Sequence, residues 1–291
     1  MRVLVLGASG MIGHTLFRTL SESVSLDVWG TVRDSAATRF FSNTLQQRLL
    51  INPNILHHDT LVAMLNQVKP DVVINGTGFV KQLSQANDPL VVLPINALFP
   101  HQLASLCALI QARVVQFSTD CVFSGKKGSY DENDVSDADD LYGKSKYIGE
   151  VATRSHVLTL RTSTIGHELQ THHGLLEWFL SERTEVRGFS RAVFSGLPTL
   201  ELARIVRDYV LPNPALHGLY HVASSPINKC DLLMLIADVY QHAVRIKPDD
   251  SLVVDRSLNN VRFSKATGYN ALSWPEQIAL MHQDHVNSRV E

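Results

Sequence analysis

One short stretch near the start constrains the fold more than any other. Val3-Leu4-Val5-Leu6 runs directly into Gly7-Ala8-Ser9-Gly10-Met11-Ile12-Gly13. The apolar, β-branched run suits a parallel strand buried on both faces, and Met11 to Leu20 behind it predicts a helix. Glycine at 7, 10 and 13 permits a tight turn, close approach of a pyrophosphate to the backbone, and close helix–strand packing. The helix N-terminus then offers free amides and the positive end of its dipole to phosphate. Gly7, Ser9, Gly10, Met11, Ile12 and Gly13 are therefore the expected dinucleotide cradle.

The same alternation continues down the chain. Leu26 to Val32, Asp71 to Asn75, Arg113 to Phe117 and Val157 to Arg161 read as further buried strands, and Asn96 to Ile110 as a long helix. Strands alternating with helices predict an α/β fold, a doubly wound parallel Rossmann sheet with right-handed crossovers. After Arg161 the rhythm breaks. Stretches 174–180 and 200–211 read as helices, and Gly218 to Val222 as an isolated strand. The expected organisation is a cofactor-binding domain over residues 1–165, recruiting a strand near 218–223, and a substrate-binding region over 166–291. With 45% apolar residues in 291, the chain can bury a sizeable core.

Charge and cysteine content exclude several classes. A formal net charge of −2 gives no field to recruit nucleic acid or an anionic membrane. Cys107, Cys121 and Cys230 are odd in number and scattered, which fits neither a disulfide framework nor structural zinc. The first apolar run is already a strand, leaving no room for a signal peptide, and no later run approaches membrane-spanning length. The expectation is a soluble, cytoplasmic protein. His57-His58 and His172-His173 lack a third ligand at matching spacing, so no metal site is expected. Trp178, Phe179 and Trp274 are read as core.

Two further features carry chemistry. The second strand ends Val28-Trp29-Gly30-Thr31-Val32-Arg33, where an acidic residue would select NAD and an arginine NADP. Arg33 supplies a planar cation for a 2′-phosphate, so NADP(H) is expected ahead of NAD(H). Downstream, Phe117-Ser118-Thr119-Asp120 closes a strand, and Tyr142-Gly143-Lys144-Ser145-Lys146 follows. Tyr142 and Lys146 stand one helical turn apart on one face. A free tyrosine titrates at about 10, and a nearby ammonium is expected to lower that value. Thr119 sits where doubly wound sheets bind ligands, its hydroxyl placed to hold a carbonyl oxygen.

At these residues the chain resembles the extended short-chain dehydrogenase/reductase family. Within it, the chain is similar to dTDP-4-dehydrorhamnose reductases and related sugar-nucleotide 4-ketoreductases. The likeness continues through Lys69-Pro70-Asp71-Val72-Val73-Ile74-Asn75, Ile95-Asn96-Ala97, Tyr130-Asp131-Glu132 and Gly196-Leu197-Pro198-Thr199. The resemblance implies that Tyr142 protonates a C4 keto oxygen, that Lys146 tunes it and holds the nicotinamide ribose, and that Thr119 binds the oxygen. It further implies that Asn75, Gly76 and Thr77 line the cofactor, that Asn96 supports a proton relay, and that Ser118, Thr119, Tyr142, Pro198 and Thr199 meet a nucleotide-sugar. A homodimer is compatible with it.

The chain also departs from the family pattern. Cys121 replaces the usual tyrosine, Gly76-Thr77-Gly78 the usual alanines, and Asn54 a usual aspartate, while Arg256-Ser257 replaces a usual Arg-Pro pair. The competing functions are an epimerase or 4,6-dehydratase with bound NAD, and a nucleotide-binding regulatory subunit like the methionine adenosyltransferase β-subunit. Cys121 after Asp120 removes the glutamate a dehydratase needs.

Overall fold

A computed structural model describes residues 1–288, with Gln82 and Ser84 left out. Seven strands form one wholly parallel sheet: β1 (Arg2–Leu6), β2 (Asp27–Val32), β3 (Leu49–Ile51), β4 (Val72–Asn75), β5 (Arg113–Thr119), β6 (Val157–Thr162), and a late strand, Gly218–His221. Their order across the sheet is Gly218–His221, β6, β5, β4, β1, β2, β3. The order reverses at β1, where β4 lies on one side and β2 on the other. That reversal is the switch point at which such sheets open a ligand crevice beyond their strand ends.

Alternation along β1 explains why both faces are covered. Val3 and Val5 point to one face, packed with Leu16, Phe17 and Leu20. Leu4 and Leu6 point to the other, against Phe99 and Leu103. At about 25 cal/mol per Å² of apolar surface buried, these two layers supply most of the drive to fold. The late strand pairs with β6 at Gly218↔Leu158 through His221↔Arg161, as the isolated run at 218–222 suggested. β3 had no readable sequence signal, because it is three residues long on the sheet edge with no buried position.

Two expectations are corrected. The helix read over 96–110 belongs to a continuous helical run, Pro89–Leu109, which is long and apolar enough to span a membrane by length and composition. Phe99, Leu103, Ala104 and Cys107 bury against the sheet, so its apolar character is that of a core helix. Trp178 is not core: it is 36% exposed on the outer face of helix Leu175–Ser181, while Phe179 and Trp274 are buried.

Beyond β6 the elements are short and packed by side chains. Ile165, Leu176, Phe179, Ile236, Trp274 and Ile278 share a third core. Helix Thr199–Ile205 lies against helix Met11–Ser21, where the Thr15 hydroxyl donates to Thr199 Oγ1 at 3.1 Å.

Candidate active site

The glycine turn is built from main-chain contacts. Gly7 has φ +77°, a left-handed conformation that favours glycine. Its amide donates to Thr31 Oγ1 at 3.0 Å, and the Ala8 amide to the Thr31 carbonyl at 2.7 Å, so β2 holds the turn in place. A Cβ on Gly13 would stand 2.0 Å from the Gly7 carbonyl oxygen, which is why the helix can begin this close to the strand. Gly10 provides no side-chain cap, and the first turn of the helix carries no acidic residue. Its leading amides therefore remain open to an anion.

The neighbouring strand ends fit an adenosine phosphate. Arg33 is exposed at the end of β2 and makes no ion pair among the described residues. Asp34 does not neutralise it, because its carboxylate accepts from the Ala37 amide at 3.0 Å and caps the next turn. Just past β3, Asn52 is buried with its Nδ2 unpartnered, while Asn54 lies exposed beside it. Nothing in the sequence marks Asn52, since only burial separates it from Asn54. At the end of β4, Asn75 Oδ1 accepts from the Thr77 amide at 3.1 Å and the Thr77 hydroxyl at 2.6 Å. Gly76 donates to the Leu6 carbonyl, tying this loop to β1.

Helix Leu141–Ile148 carries Tyr142 and Lys146, and two glycines press it into place. A Cβ on Gly143 would meet the Cys121 carbonyl oxygen at 2.1 Å, and one on Gly149 the Asn96 carbonyl oxygen at 1.9 Å. Asp140 caps the helix, accepting from the Gly143 amide at 2.7 Å, and also pairs with Lys81 at 2.5 Å. Asn96 sits in a wide π-turn, Pro94–Leu98, of the kind that marks functional positions. Its side chain donates to the Phe79 carbonyl at 3.0 Å and to Ser145 Oγ at 3.3 Å.

Thr119, Tyr142 and Lys146 come together at the end of β5. Thr119 Oγ1 accepts from the Cys121 amide at 3.1 Å and donates to Asp120 Oδ1 at 3.2 Å. Lys146 Nζ donates to the Phe117 carbonyl at 2.7 Å. Ser118 and Thr199 have hydroxyls already engaged inside the protein: Ser118 donates to Glu150 at 2.6 Å, and Thr199 accepts from Thr15. Glu150 in turn pairs with buried Arg161 at 2.7 Å. Pro198 is buried where Leu197–Pro198 pairs with Thr164–Ile165.

The electrostatics differ from the expected tuning. Burial holds the Tyr142 phenol above its usual range, with a hydrogen bond to the Thr119 hydroxyl opposing it. The expected lowering by Lys146 is thus corrected: desolvation wins, and the lysine ammonium is drawn to Phe117. A neutral phenol at ordinary pH is the form that can donate a proton. Burial lowers Lys146 to about 8, with Glu150 acting the other way. Burial raises Asp120, opposed by Lys229 and Arg256. Cys121 is pushed up to about 12, chiefly by burial, so it stays an unreactive thiol. Among the described residues, no group of histidine, cysteine or acidic side chains forms a metal site.

Residues 1–271 match the RmlD substrate binding domain family. The chain belongs to that family. It is thereby an extended short-chain dehydrogenase/reductase, a membership that the glycine turn and the Tyr-Lys helix share. The spore coat polysaccharide biosynthesis protein SpsK of Bacillus subtilis is 30% identical over 236 residues, covering 78% of this chain and 74% of SpsK. The dTDP-4-dehydrorhamnose reductase of Burkholderia thailandensis is 30% identical over 169 residues, 57% of this chain and 50% of that enzyme. The chain therefore aligns with half the length of that relative. The crystal structure of the Bacillus anthracis dTDP-4-dehydrorhamnose reductase in complex with NADP has the same fold, with a TM-score of 0.77 at 20% identity, covering 97% of this chain and 99% of that one.

Proposed function

We propose that the chain catalyses NADPH-dependent reduction of the C4 keto group of a nucleotide-linked 4-keto-6-deoxysugar, within deoxysugar and cell-surface polysaccharide biosynthesis. The observation that carries this reading is the convergence of Thr119, Tyr142 and Lys146 at the end of β5, with β4 alone between that strand and β1, which leads into the open glycine turn. When bound, the reduced nicotinamide supplies the two electrons. The helix amides from Met11 to Gly13 hold the cofactor's pyrophosphate, Arg33 its 2′-phosphate, and Asn75, Gly76 and Thr77 the nicotinamide side. Thr119 holds the keto oxygen by hydrogen bonding, and Tyr142 delivers its phenolic proton there as negative charge develops. Lys146 stabilises the phenolate that remains until the phenolate takes a proton back from solvent. Pro198 borders the substrate region, and Thr199 ties that segment to helix Met11–Ser21 by accepting from Thr15.

Loss of NADPH and of NADH absorbance, followed separately with dTDP-, UDP- and GDP-4-keto-6-deoxysugars, tests the reading. Turnover of one sugar, faster with NADPH, is expected. Equal use of NADH would remove the role of Arg33 and leave the chemistry intact. Cofactor binding without turnover of any sugar, in a protein indifferent to Tyr142→Phe, would favour the regulatory-subunit reading.

A further inference from the structure

A small three-stranded sheet, distant in sequence from the Tyr-Lys helix, brings two cations to the turn that follows β5. Its order is Ile227–Asn228, Ala192–Phe194, Val254–Asp255. The Asp255 amide donates to the Gly125 carbonyl at 2.8 Å, and Arg256 Nε to the Phe123 carbonyl at 2.8 Å, so the sheet is fastened to the chain leaving the site. Lys229 follows Asn228 as the first residue of helix Lys229–Val239. Its ammonium lies 3.9 Å from the centre of the Phe194 ring. It makes no hydrogen bond or ion pair among the described residues.

That placement is costly in three ways. The residue is half-buried, and desolvation lowers its ammonium to about 8 despite the nearby Asp120 and Cys121. Its three donors have no hydrogen-bond acceptor among the described residues, and the ring beneath is a weaker partner than one. A cation at a helix N-terminus also opposes the helix dipole. A surface lysine would extend its head to solvent and escape all three. The carboxylate near Lys229 is Asp120, buried beside Thr119, and Asp120 shares Arg256 with Asp140. An anionic ligand would satisfy the unpartnered ammonium with a charge-assisted bond, which a neutral sugar hydroxyl would not supply. In a nucleotide-sugar of the proposed class, the only anionic groups are the phosphates.

We infer that Lys229 is a substrate-binding residue that grips the diphosphate of the nucleotide-sugar, its ammonium held in position by the Phe194 ring. The inference rests on the nucleotide-sugar reading above and adds a specificity-determining residue to it. Lys229 thereby sets the distance between the diphosphate and the keto carbon presented to Tyr142.

Calorimetric titration with dTDP, UDP and GDP, and with the matching monophosphates, tests this without turnover. Wild-type protein is expected to bind one diphosphate more tightly than its monophosphate. Lys229→Met should weaken the diphosphate about 10- to 100-fold, the range for hydrogen bonds to charged groups. Monophosphate and NADPH affinities and the melting temperature should hold. Lys229→Arg, which keeps the charge, should bind the diphosphate nearly normally and resist the loss of affinity expected of wild type as pH rises through about 8. Unchanged diphosphate binding in Lys229→Met, or the same pH decline in Lys229→Arg as in wild type, would overturn the role of Lys229. Wild-type protein that binds NADPH but no nucleoside diphosphate would overturn the nucleotide-sugar reading itself.

Discussion

Around the glycine turn, main chain meets main chain: a Cβ on Gly13 would stand 2.0 Å from the Gly7 carbonyl oxygen, and one on Gly76 2.8 Å from that of Leu6. Around helix Trp274–Ser288, side chains reach for main chain instead. Trp274 Nε1 donates to the Ser225 carbonyl at 2.7 Å, and Gln277 Nε2 to Ser224 Oγ and the Leu272 carbonyl, each at 2.7 Å. The first kind of contact admits one residue type, because backbone oxygens cannot move aside. The second admits many, since another side chain of similar reach can rebuild the same bond. A cofactor common to a large family suits the first, and a substrate that varies among relatives suits the second.

The largest expected effect probes the chemistry that joins the two regions. Tyr142→Phe should lower turnover by roughly 10²- to 10⁴-fold, the usual share of general acid catalysis, while NADPH affinity and melting temperature hold. A matching fall in cofactor affinity would mean that the phenol serves the frame, and the contrast between the regions would blur.

Acid should act next, at the seam between them. His14 is buried on helix Met11–Ser21 and lowered to about 4 by desolvation, and His221 on the late strand is lowered to about 3 for the same reason. Both stay neutral when folded, whereas the unfolded chain takes up their protons below about 6.5. Stability is therefore complete above that pH and falls as pH drops, by about 1.4 kcal/mol per pH unit for each histidine. Urea unfolding across a pH series measures the slope. His14→Gln should remove one histidine's share, and an unchanged slope would refute the assignment.

Gly13→Ala sharpens the backbone side of the comparison. Overpacking typically costs about 1–3 kcal/mol, and here the displaced atoms belong to the proposed phosphate cradle, so stability and NADPH affinity should fall together. A stable variant with intact binding would show that the turn can relax. The smallest effect belongs to Thr199→Val. Losing its bond to Thr15 should cost about 1 kcal/mol of stability and leave the KM for the sugar unchanged. A raised KM would show that Thr199 reaches the substrate as its motif implies.

Legibility followed the same division. β1, the glycine turn and the helix behind it were readable because strand and helix periods are local and the glycines have few substitutes. β3 was not, being three edge residues long. Tyr142 and Lys146 were readable from spacing and context, but the state of the phenol was not. It depends on burial among Thr119, Cys121 and Asp120, which meet only after the turn folds back. Ser118 is legible as a hydroxyl at the strand end, but its donation to Glu150 depends on a residue 32 positions away.

By itself, then, the sequence determined the doubly wound class, the glycine turn between strand and helix and the one-turn spacing of Tyr142 and Lys146, because each depends on residues close along the chain. The tertiary structure decided the rest. It placed Gly218–His221 at the sheet edge, raised the phenol instead of lowering it, and carried Lys229 more than a hundred positions along the chain to face Asp120. Desolvation and charge act through space, and neither can be read before the surrounding residues are in place.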